Sequence, residues 1–264
     1  MKEINFKRSD INNLTLYNRG GIDGVIYIYS NDLLLKVFEP YIKTFLNLNV
    51  KKYKLNNIYE KEIPENVMIK PVKLINIEGE FAGYTMPKIT DSIRIDCIND
   101  YRKLVKAFRI LFENLDFLHQ NNIIVNDVKP DNILYDKNQT PIFIDIDSMG
   151  VDEYAPNHIN MKSQIFRKVD DYFYKIRNND PKTIDKLKLL ACFVQSLERK
   201  KITNNQSESI YDDKPLFNIL NESKLSDDFK GYIAEILVQK DNLDLALSDV
   251  EAVYLHEEMN MRRK

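Results

Sequence analysis

The segment Tyr101–Gln120 constrains the fold of this chain more than any other. Leu104, Val105, Phe108, Leu111, Phe112, Leu115 and Leu118 recur along it at three- and four-residue intervals, which gathers them on one broad face of a helix. So wide an apolar face must be covered by other elements, so a helical layer is expected around it. The chain before it reads differently. Val25–Tyr29 and Leu33–Phe38 are strand-like runs separated by the polar turn Ser30-Asn31-Asp32, and Val72–Ile77 and Phe81–Met86 flank Glu78-Gly79-Glu80. Both pairs read as β-hairpins. Between them, Tyr41–Asn57 carries Phe45, Leu48 and Leu55 at helical spacing. After the long helix, two short strands are expected at Ile133–Tyr135 and Pro141–Ile144, and further helices at Thr183–Glu198, Asp227–Gln239 and Leu247–Met259. The periodicity changes near residues 87–95, from a β-rich first part to a helical second part.

Composition narrows the function classes. With 44% hydrophobic and 30% charged residues among 264, the chain can bury a core and is not disordered. Lys and Arg number 38 against 40 Asp and Glu, a formal charge of −2. That near-balance removes the footprint of a dedicated nucleic-acid or membrane-surface binder. Cys97 and Cys192 share no short spacing, which argues against a disulfide framework or a cysteine zinc site. MKEINFKRSD has no apolar stretch of a secretory signal and no run is long enough to span a bilayer, so a soluble, cytoplasmic protein is expected.

Three groups of residues carry chemistry. Of seven glycines, Gly20, Gly21 and Gly24 fall within five positions. They suit either a tight turn or a backbone that approaches phosphate oxygens closely. Twelve residues beyond Gly24 stands Lys36, flanked by apolar strand residues. It either snorkels from an edge strand or meets a buried anion, because burial without a partner is costly. The third group is Asp127-Val128-Lys129-Pro130-Asp131-Asn132-Ile133-Leu134, followed thirteen residues past Asn132 by Asp145 at the end of Ile142-Phe143-Ile144. An acid, a lysine two positions on, an amide five positions on and a second acid suit phosphoryl transfer. One carboxylate orients a hydroxyl and takes its proton, the amide oxygen and second carboxylate hold magnesium, and the lysine offsets charge on the moving group. The plainer alternative is a polar loop rich in turn formers.

With these residues in view, the chain resembles the protein-kinase superfamily from about Leu14 to the last helices. The resemblance implies an α+β, bilobal fold: one domain over residues 1–264, with a small β-rich lobe to about 89 holding one main helix, and a larger helical lobe from about 90. It implies ATP and Mg²⁺ as ligands. Arg19-Gly20-Gly21-Ile22-Asp23-Gly24 matches the glycine-rich loop, and Lys36 the lysine on the α/β-phosphates. Asp127 and Asn132 match the catalytic-loop base and metal ligand, and Asp145 matches the metal-binding Asp of D-F-G. Tyr84-Thr85-Met86-Pro87-Lys88-Ile89 resembles the inter-lobe hinge, whose backbone, that of Lys88 included, meets adenine, with Met86 as gatekeeper. Asp185 resembles the buried Asp that braces the catalytic loop. Lys129 is typical of family members that phosphorylate Ser or Thr, so a protein hydroxyl is the expected acceptor. A small-molecule hydroxyl, as in aminoglycoside or choline phosphotransferases, and a non-catalytic scaffold are the alternatives.

The departures carry their own expectations. Val125-Asn126 replaces His-Arg, so control by activation-loop phosphorylation is not expected. D-F-G becomes Asp145-Ile146-Asp147, where Asp147 is either a second metal ligand or a polar turn residue. Tyr41–Asn57 contains no acid, so an ion-pair partner for Lys36 must come from Glu60, from Glu62, from elsewhere, or not at all. No A-P-E follows in Ser148–Asp180, which leaves the peptide platform open. His119 reads as a helix-end charge, His158 and His256 lack metal-ligand spacing, and Arg262-Arg263-Lys264 reads as a solvated helix end. Tyr172 and Tyr174 are packing residues or phosphoacceptors.

Overall fold

A computed structural model describes residues 1–18, 24–39, 48–155, 180–202, 216–238 and 247–263. It is a mixed α+β structure with a six-stranded sheet in the first part of the chain. The sheet strands are β1 (Lys2–Phe6), β2 (Thr15–Asn18), β3 (Gly24–Ile28), β4 (Leu33–Phe38), β5 (Lys73–Ile77) and β6 (Glu80–Pro87). Their order is β1-β5-β6-β4-β3-β2, antiparallel throughout except for β1 beside β5. The β5–β6 turn is tight because Glu78 and Gly79 both take positive φ, 54° and 86°, as a two-residue hairpin of this twist requires.

β4 is apolar on both faces because both are covered. Leu35 packs with Ile75 of β5 and Ile11 of the short helix α1 (Arg8–Asn12). Leu34 and Phe38 point the other way, into the main core shared with the helices. Lys36 alternates with Leu35 and Val37, so it lies on this second face. Helix α2 (Leu48–Glu60) lies against that face and buries Leu55 and Ile58. The helix runs three residues further than the predicted end at Asn57, and the first part of the predicted segment, 41–47, lies outside the described residues.

The long helix forms where its periodicity requires, as α3 (Tyr101–Gln120). The Asp100 carboxylate caps it, accepting from Arg102 N at 2.8 Å and Lys103 N at 3.1 Å. Helices α4 (Pro181–Ile202), α5 (Leu216–Asn221), α6 (Asp227–Val238) and α7 (Val250–Arg263) follow. Phe193 of α4 sits at the hub of an aromatic cluster, 5.1 Å from Phe108, 5.9 Å from Phe229 and 5.2 Å from Tyr254 between ring centroids. Edge-to-face pairs of this kind add about 0.5–1.5 kcal/mol each beyond the area they bury. Among the described residues no helix is long and apolar enough to cross a membrane.

Short strands join the two parts. β7 (Ile93–Arg94), β9 (Ile133–Tyr135) and β10 (Pro141–Phe143) form one small sheet, and β8 (Ile123–Ile124) pairs with β11 (Gly150–Val151) in another. Met68 bridges to Phe143, and Ile69 N donates to Phe143 O at 3.0 Å, so the β9–β10 hairpin is tied to the chain just before β5.

Candidate functional site

Strand register decides where Lys36 points. It stands directly opposite Tyr84 in the β4–β6 pair, so the two side chains share one face. The neighbouring position, Gly83, has no room for a side chain: a Cβ there would lie 2.0 Å from Lys36 O. Lys36 is 6% exposed, and a buried ammonium needs anions. Two carboxylates provide them. Asp145 binds Lys36 Nζ directly, and Asp147 Oδ1 lies 2.6 Å from it.

Both acids are delivered by the β9–β10 hairpin and the turn after it. Ile144 N donates to Asn132 O at 2.9 Å, which sets Asn132 beside the residue preceding Asp145. Asp145 takes a left-handed backbone, φ 63° and ψ 55°, and the turn Ile146–Ser148 then folds Asp147 back into the interior. Ser148 Oγ donates to Asp145 O at 3.2 Å and steadies that reversal.

Asp147 is the most heavily engaged group here. Its Oδ1 accepts from Lys36 and, at 3.1 Å, from the Tyr84 hydroxyl; its Oδ2 lies 2.7 Å from Lys51 Nζ on α2. Burial by itself would raise this carboxyl, but the ammonium groups of Lys36 and Lys51 overcome it and hold Asp147 well below the usual carboxylate range. Asp145 goes the other way. Burial first, and then the charge of Asp147, push it up to about 6 against the pull of Lys36. Burial opposes the charge of Lys36, yet the two acids raise its pKa well above the ordinary lysine value.

The second half of the site is the loop after α3. Lys129 Nζ lies 2.6 Å from Asp127 Oδ2, and Asn132 Nδ2 donates to the same oxygen at 2.8 Å and to Asp127 O at 2.9 Å. Asp127 Oδ1 and Asn132 Oδ1 take no hydrogen bond among the described residues. Asp185 supports this loop from below: fully buried at the start of α4, it accepts from Val125 N at 2.7 Å and Asn126 N at 2.8 Å. Lys188, one helical turn on, donates to Asn126 O. Asn126 is thereby held at both its N–H and its C=O in a left-handed conformation, φ 63°.

The structure therefore brings Lys36, Asp145 and Asp147 together, and sets Asp127, Lys129 and Asn132 at the adjoining hairpin. Gly20 and Gly21 lie outside the described residues, as do Arg19, His158, Tyr172 and Tyr174. Gly24 is the first residue of β3, opposite Phe38, and a Cβ there would meet Val37 O at 2.6 Å. Strand packing accounts for that glycine without a ligand. Met86 is buried in the core opposite Leu34. Lys88 was expected to offer its backbone to a base, but its N–H is committed to Asp32 O at 2.9 Å.

The geometry bears on three positions that the sequence left open or read only in part. Glu60 and Glu62 are both exposed and do not reach Lys36; its partners come from the Asp145-Ile146-Asp147 turn. Both oxygens of Asp147 accept from lysines and a tyrosine, so a cation bound there would have to displace them. His119 is more than a helix-end charge: it is buried, with Nε2 3.3 Å from Asp185 Oδ2, so it belongs to the support of the loop.

Lys51 was not foreseen as part of the site. Lys51, Lys54, Leu55 and Ile58 share one buried helical stripe, and two lysines on such a stripe announce buried anions nearby. Lys54 Nζ donates to Ala155 O at 2.5 Å; burial, with Lys51 adding to it, lowers its pKa to about 8.

Among the described residues no group of three or more His, Cys, Asp or Glu side chains could by itself hold a metal ion. The chain matches no known protein family, and no curated protein matches it.

Proposed function

We propose that this chain is an ATP-dependent phosphotransferase with the bilobal arrangement of the protein kinases, acting on a hydroxyl, with Ser or Thr of a protein as the leading acceptor. The observation that carries this reading is the meeting of Lys36 with Asp145, 109 residues apart, beside the loop that holds Asp127, Lys129 and Asn132.

Each residue then has a task. Lys36 aligns the α/β-phosphates through its ammonium group. Asn132 Oδ1 and the partly exposed Asp145 carboxylate form a donor set suited to magnesium, which favours one or two protein oxygens and completes its shell with water and phosphate. Magnesium supplies charge neutralisation on the phosphate oxygens when bound. Asp127 keeps Oδ1 for an incoming hydroxyl while Lys129 and Asn132 fix Oδ2, so it can orient that hydroxyl and accept its proton. Lys129, bonded to Asp127 Oδ2, is the cation that offsets charge on the group in transit. Both cysteines are free thiols, which fits a cytoplasmic setting.

The test is transfer of label from γ-labelled ATP with Mg²⁺, by the unaltered chain and by Asp127→Ala. Label on a protein hydroxyl that disappears in the variant supports the reading. Label only on an added aminoglycoside or choline moves the acceptor to the small-molecule class. Nucleotide binding without transfer, the same in both proteins, replaces the enzyme with a nucleotide-binding scaffold.

A further inference from the structure

We propose that Lys51 is a positioning residue for Lys36: acting through Asp147, it neutralises the second carboxylate of the site and so leaves the Lys36 charge available to nucleotide phosphates. This inference rests on the phosphotransferase reading and deepens it.

The helix supplies a cation to the site rather than an acid. The helix sequence from Tyr41 to Asn57 offers no acid to Lys36; α2 contributes an ammonium, and the carboxylate between the two lysines comes from the turn after β10. The Asp147 contacts are nearly equal, 2.6 Å to Lys36 and 2.7 Å to Lys51, so the acid is shared. Among the described groups bonded to the two acids, Lys36 and Lys51 are the cations that face Asp145 and Asp147. With Lys51 removed, Lys36 would carry a larger share of both buried acids, and the local charge would become more negative where an anionic phosphate must approach.

The two acids also differ in what they can release. Asp147 has a side chain 1% exposed and accepts from Lys36, Lys51 and Tyr84, whereas Asp145 is 27% exposed and, among the described residues, shares one oxygen with Lys36. Asp147 is therefore the fixed anchor of Lys36, and Asp145 the acid free to exchange. The anchor depends on where α2 sits. The helix and the residue just after it hold the same stretch at further points: Tyr53 packs on Tyr154 at 4.8 Å, Lys54 reaches Ala155 O, and Lys61 pairs with Asp152 at 2.8 Å. Movement of α2 thus reaches Lys36 through one carboxylate.

The test is a double-mutant cycle on the whole chain, with affinities for Mg·ADP and for adenosine measured by calorimetry. Adenosine carries no phosphate, so it reports the integrity of the site without using the Lys36 charge. Lys51→Met is expected to weaken Mg·ADP by about tenfold or more while adenosine changes by less than about twofold. Lys51→Arg, which keeps the cation, recovers Mg·ADP affinity to within about threefold. In a Lys36→Met background, Lys51→Met causes no further loss. Equal losses for both ligands, or additive losses in the double variant, overturn the inference alone. Absence of Mg·ADP binding by the unaltered chain overturns the phosphotransferase reading, and this inference with it.

Discussion

Replacing Asp185 by Ala tests the support beneath the Asp127 loop without reference to any ligand. The carboxylate accepts two backbone N–H bonds, from Val125 at 2.7 Å and Asn126 at 2.8 Å, in a fully buried position. Each bond to a charged acceptor contributes about 1.5–3 kcal/mol, and its loss strands a buried donor. The positive φ of Asn126 adds strain of about 1 kcal/mol that these bonds hold in place, and releasing it offsets part of the loss. Water entering the vacated volume offsets more, leaving an expected destabilisation of about 4 kcal/mol. Asp185→Asn keeps one acceptor oxygen and turns an amide NH₂ toward the other donor, so about half that loss is expected. Urea unfolding followed by circular dichroism gives both values, provided the slope with denaturant is unchanged. A loss below about 1 kcal/mol for Asp185→Ala would refute the reasoning, because those two N–H groups would then be finding partners that the fold does not show.

Other perturbations probe the scaffold. Gly83→Ala places a Cβ 2.0 Å from Lys36 O, so β4 and β6 must part; a thermal melt should show a loss of about 2–3 kcal/mol or more. Gly79→Ala meets no atom and bears only the strain of φ 86°, so the same assay should show about 1 kcal/mol. Tyr254→Phe removes a buried hydroxyl that has no hydrogen-bond partner among the described residues, and is expected to raise stability by about 1 kcal/mol. Glu251 of α7 is pushed up to about 7 by burial and then by Asp116 and Glu113 of α3. A raised folded-state value contributes stability that is complete below about pH 4.5 and lost as pH rises through 7. Glu251→Gln should therefore match the unaltered chain near pH 4, and exceed it at pH 8 by about 1 kcal/mol after allowance for solvent screening.

Much of the secondary structure could be read because its causes are local. The Ser30-Asn31-Asp32 and Glu78-Gly79 turns punctuate strands that pair with their sequence neighbours, and the apolar spacing of α3 needs no knowledge of what covers it. β1 is different. Lys2–Phe6 alternates charge and apolar residues weakly, and its partner is β5, 71 residues on and parallel, so no local turn announces the pairing. The same distinction runs through the site. Asp127, Lys129 and Asn132 lie within six positions, and their mutual hydrogen bonds follow from that short loop.

Partners separated by a hundred residues obey no such rule. The sequence by itself determined that Lys36 would be a strand lysine among apolar neighbours in need of an anion, and that an acid–lysine–amide loop would follow a buried helix. Which anion it meets was decided only by the tertiary structure, which passes over Glu60 and Glu62 and folds Asp147 between Lys36 and Lys51. The reason is electrostatic. A buried charge requires a counter-charge within about 4 Å, and that requirement names no residue and fixes no polarity; only packing β4, α2 and the turn after β10 against one another selects the group that satisfies it.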